Sequence, residues 1–123
     1  MGGVPGAFTR WGVRLTRVLA AGAIVTPEWD ALLEQALEDF PDSTLVYVSG
    51  DGAGEHAAQR WCDAFLPFER HEVVASIIDA HELVETADVV LVCLEGWASF
   101  AQQCKSWAVS AGVAVREVGG LVR

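Results

Sequence analysis

The chain has 123 residues, 52% of them hydrophobic, and its 17 acidic against 8 basic residues give a net charge of −9. That length suits one domain around a single core, and no apolar run nears the ~18 residues of a membrane span, so no membrane partner is expected. A body this acidic repels phosphate backbones over a Debye length, which argues against nucleic acid as a partner.

Residues 1–12 (MGGVPGAFTRWG) carry glycines, one proline and no periodicity, and read as an arm with Phe8 and Trp11 as apolar anchors; 13–123 form the domain. The run from Val18 to Val25, preceded by Arg14 and Arg17, lacks the continuous apolar core and polar start of an export signal. Cys62, Cys93 and Cys104 are odd in number, form no CxxC and sit in apolar stretches, so they read as buried thiols of a cytoplasmic protein.

A first strand is expected from Leu15 to Ala21, ending at Gly22. Thr26 as N-cap, Pro27 at the first helical position and Glu28 in the first turn then open a helix whose stripe is Trp29, Leu32, Leu33, Ala36, Leu37 and Phe40. Thr44 to Ser49 reads as a buried strand. The glycine-rich stretch Gly50-Asp51-Gly52-Ala53-Gly54 turns it into a helix whose apolar face is Ala57, Ala58, Trp61, Cys62 and Phe65. A weak strand from Phe68 to Val74 and a short helix from Ile77 to Glu85 follow. Asp88 to Leu94 is near-continuously apolar, the mark of a central parallel strand covered on both faces. Trp97, Phe100, Ala101, Cys104, Trp107, Ala108 and Ala111 predict a helix stopped by Gly112, and Val113 to Val118 a last strand.

Five strands alternating with four helices imply an α/β fold, a Rossmann-like three-layer sandwich with a mostly parallel sheet. Ligands of such sheets bind outside the carboxyl ends of the strands, at the loops following Ala21, Ser49 and Leu94. In the second loop Gly50, Gly52 and Gly54 let backbone N–H groups converge near a helix start. The spacing is neither GxGxxG nor the Walker pattern, and Asp51 would repel a phosphate there. Glu55 and His56 form a possible acid/base pair, against the plainer reading of Glu55 as a helix-start acid and His56 as solvated. His81 to Glu85 spells HExxE, which lacks a second histidine for zinc, and no metal or cofactor is expected. Glu95, at the end of the central strand, is the best single catalytic candidate.

From Arg17 to Val118 the chain resembles the SLOG superfamily, in particular its small YspA/YpsA-like branch, related to DprA and to LOG phosphoribohydrolases. The resemblance lies in the first strand, Arg17 to Gly22; the second with its glycines, Val46 to Gly54; Trp61 in the helix; the run Ala87 to Leu91; Gly96 opening the last loop; and Ala108. It implies a Rossmann-like fold and a nucleotide-derived ligand at Gly22, Gly50, Asp51, Gly52, Gly54, Glu55, His56 and Gly96, with N-glycosidic hydrolysis in some branches. The chain departs from the family's pattern where no arginine accompanies Gly22, where His56 replaces an Asp, where Asp79 and Ala80 replace an arginine–asparagine pair, and where Phe100 and Ala101 replace a glycine and a threonine. The expectation is a non-catalytic domain that binds a nucleotide-derived small molecule or a protein partner, a second copy included. The alternatives are a nucleotide N-glycosidase using Glu95 and an assembly subunit held by its arm.

Overall fold

A computed structural model describes residues 15–72, 77–96 and 98–119; the predicted arm, Trp11, Trp97 and the end of the weak strand at Val73 and Val74 lie outside them. The elements are β1 (Thr16–Gly22), α1 (Pro27–Asp39), β2 (Ser43–Val48), α2 (Gly52–Asp63), β3 (Phe68–His71), α3 (Ile77–Glu85), β4 (Val89–Cys93), α4 (Ser99–Ala111) and β5 (Ala114–Val118). The strands form one sheet in the order β3-β2-β1-β4-β5, and every neighbouring pair is parallel. Strand order therefore reverses between β1 and β4, where Gly22 lies in register with Cys93.

Each face of the sheet carries its own apolar layer. On one, Trp29, Leu33 and Ala36 of α1 and Ala53, Ala57 and Trp61 of α2 pack against Val18, Ala20, Leu45 and Leu91. On the other, Val84 of α3 and Ala101, Cys104 and Ala108 of α4 pack against Leu19, Val46, Val90 and Val92. Consecutive strand side chains point to opposite faces, so the central strands are apolar on both faces, from Val18 to Ala21 in β1 and throughout β4, as the near-continuous hydrophobicity of Val89–Cys93 predicts. The edge strand β3 alternates exposed and half-buried positions, and no position of β5 is fully buried.

The two large indoles fully buried here keep their polar atoms satisfied, as burial requires. Trp29 Nε1 donates to the Ala53 carbonyl at 3.1 Å. Trp61 Nε1 donates to Ser43 Oγ at 3.0 Å, and that hydroxyl in turn donates to the Phe40 carbonyl at 2.7 Å. Trp107 is half-buried, its ring 4.9 Å from that of His81. Arg17 is buried at the start of β1 and held by Glu69, Nη1 to Oε2 2.8 Å.

Helix ends follow local chemistry. Thr26 Oγ1 accepts the Trp29 N–H at 3.1 Å with Pro27 in the first turn, as predicted. At the other end of α2 the expected apolar face breaks off early: Cys62 is exposed, and Phe65 is 96% exposed rather than packed. The reason lies in the backbone. Phe65 N–H bonds the Cys62 carbonyl and Leu66 N–H the Trp61 carbonyl, a Schellman ending that holds Phe65 at a φ of 60° and turns its side chain to solvent. The same pair of bonds ends α4, from Gly112 N–H to the Val109 carbonyl and from Val113 N–H to the Ala108 carbonyl, and there the left-handed residue is Gly112 at φ 75°. Ala111, predicted on the packed side of α4, is likewise exposed at this ending.

A bulky residue in the left-handed region is strained, whereas glycine adopts it freely. Phe65→Gly is therefore expected to stabilise the fold by ~0.5–1 kcal/mol despite deleting an aromatic ring, seen as a higher urea midpoint at unchanged slope.

Candidate functional site

The carboxyl ends of β1, β2 and β4 lie side by side, and the loops leaving them surround one open concavity of about 250 Å³. Ala23 lines it from the first loop, Gly50 to Gly52 from the second, and Ala98 to Ala101 from the third. The three loops singled out by the strand pattern are thus brought together at the point where strand order reverses.

The second loop meets the end of β1 almost without clearance. A Cβ on Gly22 would come within 2.8 Å of both Ala53 Cβ and Cys93 Cβ, and one on Gly54 within 3.1 Å of the Ala20 carbonyl oxygen and Tyr47 Cβ. These glycines are required by the approach of α2 to the sheet, independently of any ligand. Gly52 is equally tight against the Ala23 carbonyl, whereas Gly50 faces open space at a φ of 87° and makes the turn.

Asp51 is the centre of this arrangement. It is the N-cap of α2, its Oδ2 accepting the Gly54 N–H at 3.0 Å. The same carboxylate accepts the Gly22 N–H at the end of β1, at 3.0 and 3.2 Å to its two oxygens. Glu55 Oε2 accepts the Gly50 N–H at 2.9 Å. Of the amides that a glycine loop would offer a phosphate, those of Gly22, Gly50 and Gly54 are therefore engaged by the chain's own acids. Burial raises the Asp51 carboxyl from its ordinary 3.8 to about 6, against the lowering by the Gly22 and Gly54 N–H groups. Burial, followed by the Asp51 charge, also pushes the Cys104 thiol up to about 12, which leaves it inert.

The residues expected beside Asp51 are distributed differently from the sequence reading. His56 pairs with Asp30 of α1, Nε2 to Oδ1 2.9 Å, rather than with Glu55. Arg60 bonds the same Asp30 oxygen and also reaches Glu34 at 3.5 Å. This cluster ties α1 to α2, and the His56 hydrogen bond, with that of Arg60, holds the Asp30 carboxyl below its ordinary value. Neither Glu55 nor His56 lines the concavity.

Glu95 is half-buried and lies across Gly119, where a Cβ would come 2.6 Å from Glu95 Cγ. It therefore faces the end of β5 and not the concavity that Asp51 lines. Gly96, at a φ of 70°, has Ile24 of the first loop over it, 3.6 Å from the position its Cβ would take.

Ala23, Ala98 and Ser99 were not foreseen as lining residues. For the last two a signal existed: the position before α4 holds Ala98, no side chain caps the helix, and no acid stands in its first turn. Helices that start without Ser, Thr, Asp or Asn leave their first N–H groups for other acceptors. Phe100 and Ala101, noted in the sequence as a bulky and a small apolar replacement, form the apolar wall opposite Asp51.

Because the folded state holds a proton on Asp51 that the unfolded chain has already lost between pH 4 and 6, this group's contribution is complete below about pH 4 and is lost as pH rises through about 6. Asn caps helices as well as Asp. Asp51→Asn should therefore gain on the wild type by on the order of 2 kcal/mol between pH 4 and pH 7, read from urea denaturation at both values.

No protein-family model, no curated protein and no solved structure matches this chain, so a functional reading has to come from the geometry of the concavity itself.

Proposed function

We propose that this chain is a non-catalytic binding domain that takes a nucleotide-derived small molecule in the concavity at the ends of β1, β2 and β4. One observation carries the reading: loops from three adjacent strands, which are far apart in sequence, close around a single hollow at the switch point of a parallel sheet. At about 250 Å³ the hollow is just below the ~300–1,000 Å³ usual for whole drug-sized ligands, so it fits one end of such a molecule.

The lining favours binding over turnover. It combines small apolar side chains, the Phe100 ring, one carboxylate and the uncapped start of α4, a set that orients a ligand through few polar contacts. Glu95 packs against Gly119 and His56 is engaged by Asp30, so neither sequence candidate for acid/base work lines the hollow. A hydrolase reading keeps one support, the half-buried Asp51 with its carboxyl raised to about 6, in the range of a general acid. Turnover of a nucleoside monophosphate that disappears in Asp51→Asn would make that reading the better one.

A ligand that binds only the folded state raises its apparent stability. Thermal denaturation against nucleosides, nucleotides, ADP-ribose and sugar phosphates should give a shift of ~3 °C or more for at least one class at a hundredfold excess over its Kd. Ser99→Trp, which fills the hollow from an exposed position, should abolish the shift, and Glu95→Gln should leave it unchanged. A flat panel overturns the reading.

A further inference from the structure

We infer that the concavity selects the uncharged sugar end of its ligand, so that a nucleoside is held more tightly than its own 5′-phosphate; this rests on the binding reading above. Three observations carry it. The only charged side chain lining the hollow, among the described residues, is the carboxylate of Asp51, and no arginine, lysine or histidine joins it. The amides of Gly22, Gly50 and Gly54 already donate to Asp51 and Glu55, so three of the donors that a glycine loop would turn on a phosphate are engaged by the chain's own acids. The opposite wall is apolar, formed by Ala98, Phe100 and Ala101.

The chemistry of the two ligand ends differs in what this lining demands. A phosphate dianion only accepts hydrogen bonds, so beside Asp51 it brings two negative groups together with no cation between them. A sugar hydroxyl both donates and accepts: it can donate to Asp51 and accept from the uncapped N–H groups at the start of α4. A ribose with adjacent hydroxyls meets both walls at once, and its base lies along the Phe100 side. The net charge of −9 adds a general repulsion that penalises the phosphate further.

Isothermal titration of the wild-type chain at neutral pH with the four ribonucleosides and their 5′-monophosphates tests this directly. The expected result is a Kd for the nucleoside at least ~10-fold below that of its monophosphate, with the gap closing to within ~3-fold in Asp51→Asn. Asp51→Ser, which keeps a capping oxygen, serves in place of a variant that does not fold. A monophosphate that binds as tightly as its nucleoside overturns the inference and leaves the binding reading standing. A gap that persists without the Asp51 carboxylate also overturns it, because the discrimination then comes from elsewhere. Absence of heat with every ligand overturns both.

Discussion

The carboxylate of Asp51, shared between the Gly22 N–H at the end of β1 and the Gly54 N–H in the first turn of α2, fixes the upper end of this fold. A hydrogen bond to a charged acceptor is about twice as strong as a neutral one, and here one acceptor joins a strand to a helix that are separated by the whole of α1 and β2. The junction exists only because Gly22 and Gly54 present no Cβ. Glycine at these positions costs conformational entropy on folding, and the gain is that α2 reaches the sheet closely enough for Ala53, Ala57 and Trp61 to join the core. Removal of the carboxylate from water is what raises its pKa, and the two N–H groups of the tie offset part of that rise.

The rest of the molecule separates into parts that were legible in the sequence and parts that were not, and the division follows the range of the interactions. Helix starts and stops were legible where the signal is local: Thr26 and Pro27 open α1, Gly112 ends α4, and α3 runs over the predicted residues, Ile77–Glu85. The continuous apolar run of Val89–Cys93 gave away a central strand, since no other position in an open sheet needs both faces apolar. Strand ends were displaced by one residue, as at Gly22, because the ladder continues as far as the partner strand does.

What was not legible depends on contacts that the helical and strand patterns do not encode. Phe65 fits the helical stripe of α2, but the Schellman ending reverses the chain one residue before the stripe would be completed. His56 stands next to Glu55 in sequence, yet successive helix residues do not face each other, and the carboxylate within its reach belongs to Asp30 on the neighbouring helix. Glu95 sits at the end of the central strand as expected, and its side chain turns toward Gly119 across β5. In each case the residue was located correctly along the chain and its direction was set by a second element.

These constraints also bear on how the hollow can work. Its two sides are built on unequal terms. On the β2 side, Gly52 is pressed against Ala23 and Asp51 is held from two directions, so neither can move without parting α2 from β1. On the β4 side, the start of α4 carries no capping side chain, and Ile24 stands over Gly96 with room left for a Cβ between them. Low-stability openings concentrate where few hydrogen bonds and little packing hold a segment. Adjustment to a ligand would therefore fall on Ile24 and the first turn of α4, with Asp51 as the fixed reference. With Asp51 held from two directions, a poor match to any ligand there could not be relieved by movement of the loop that carries it.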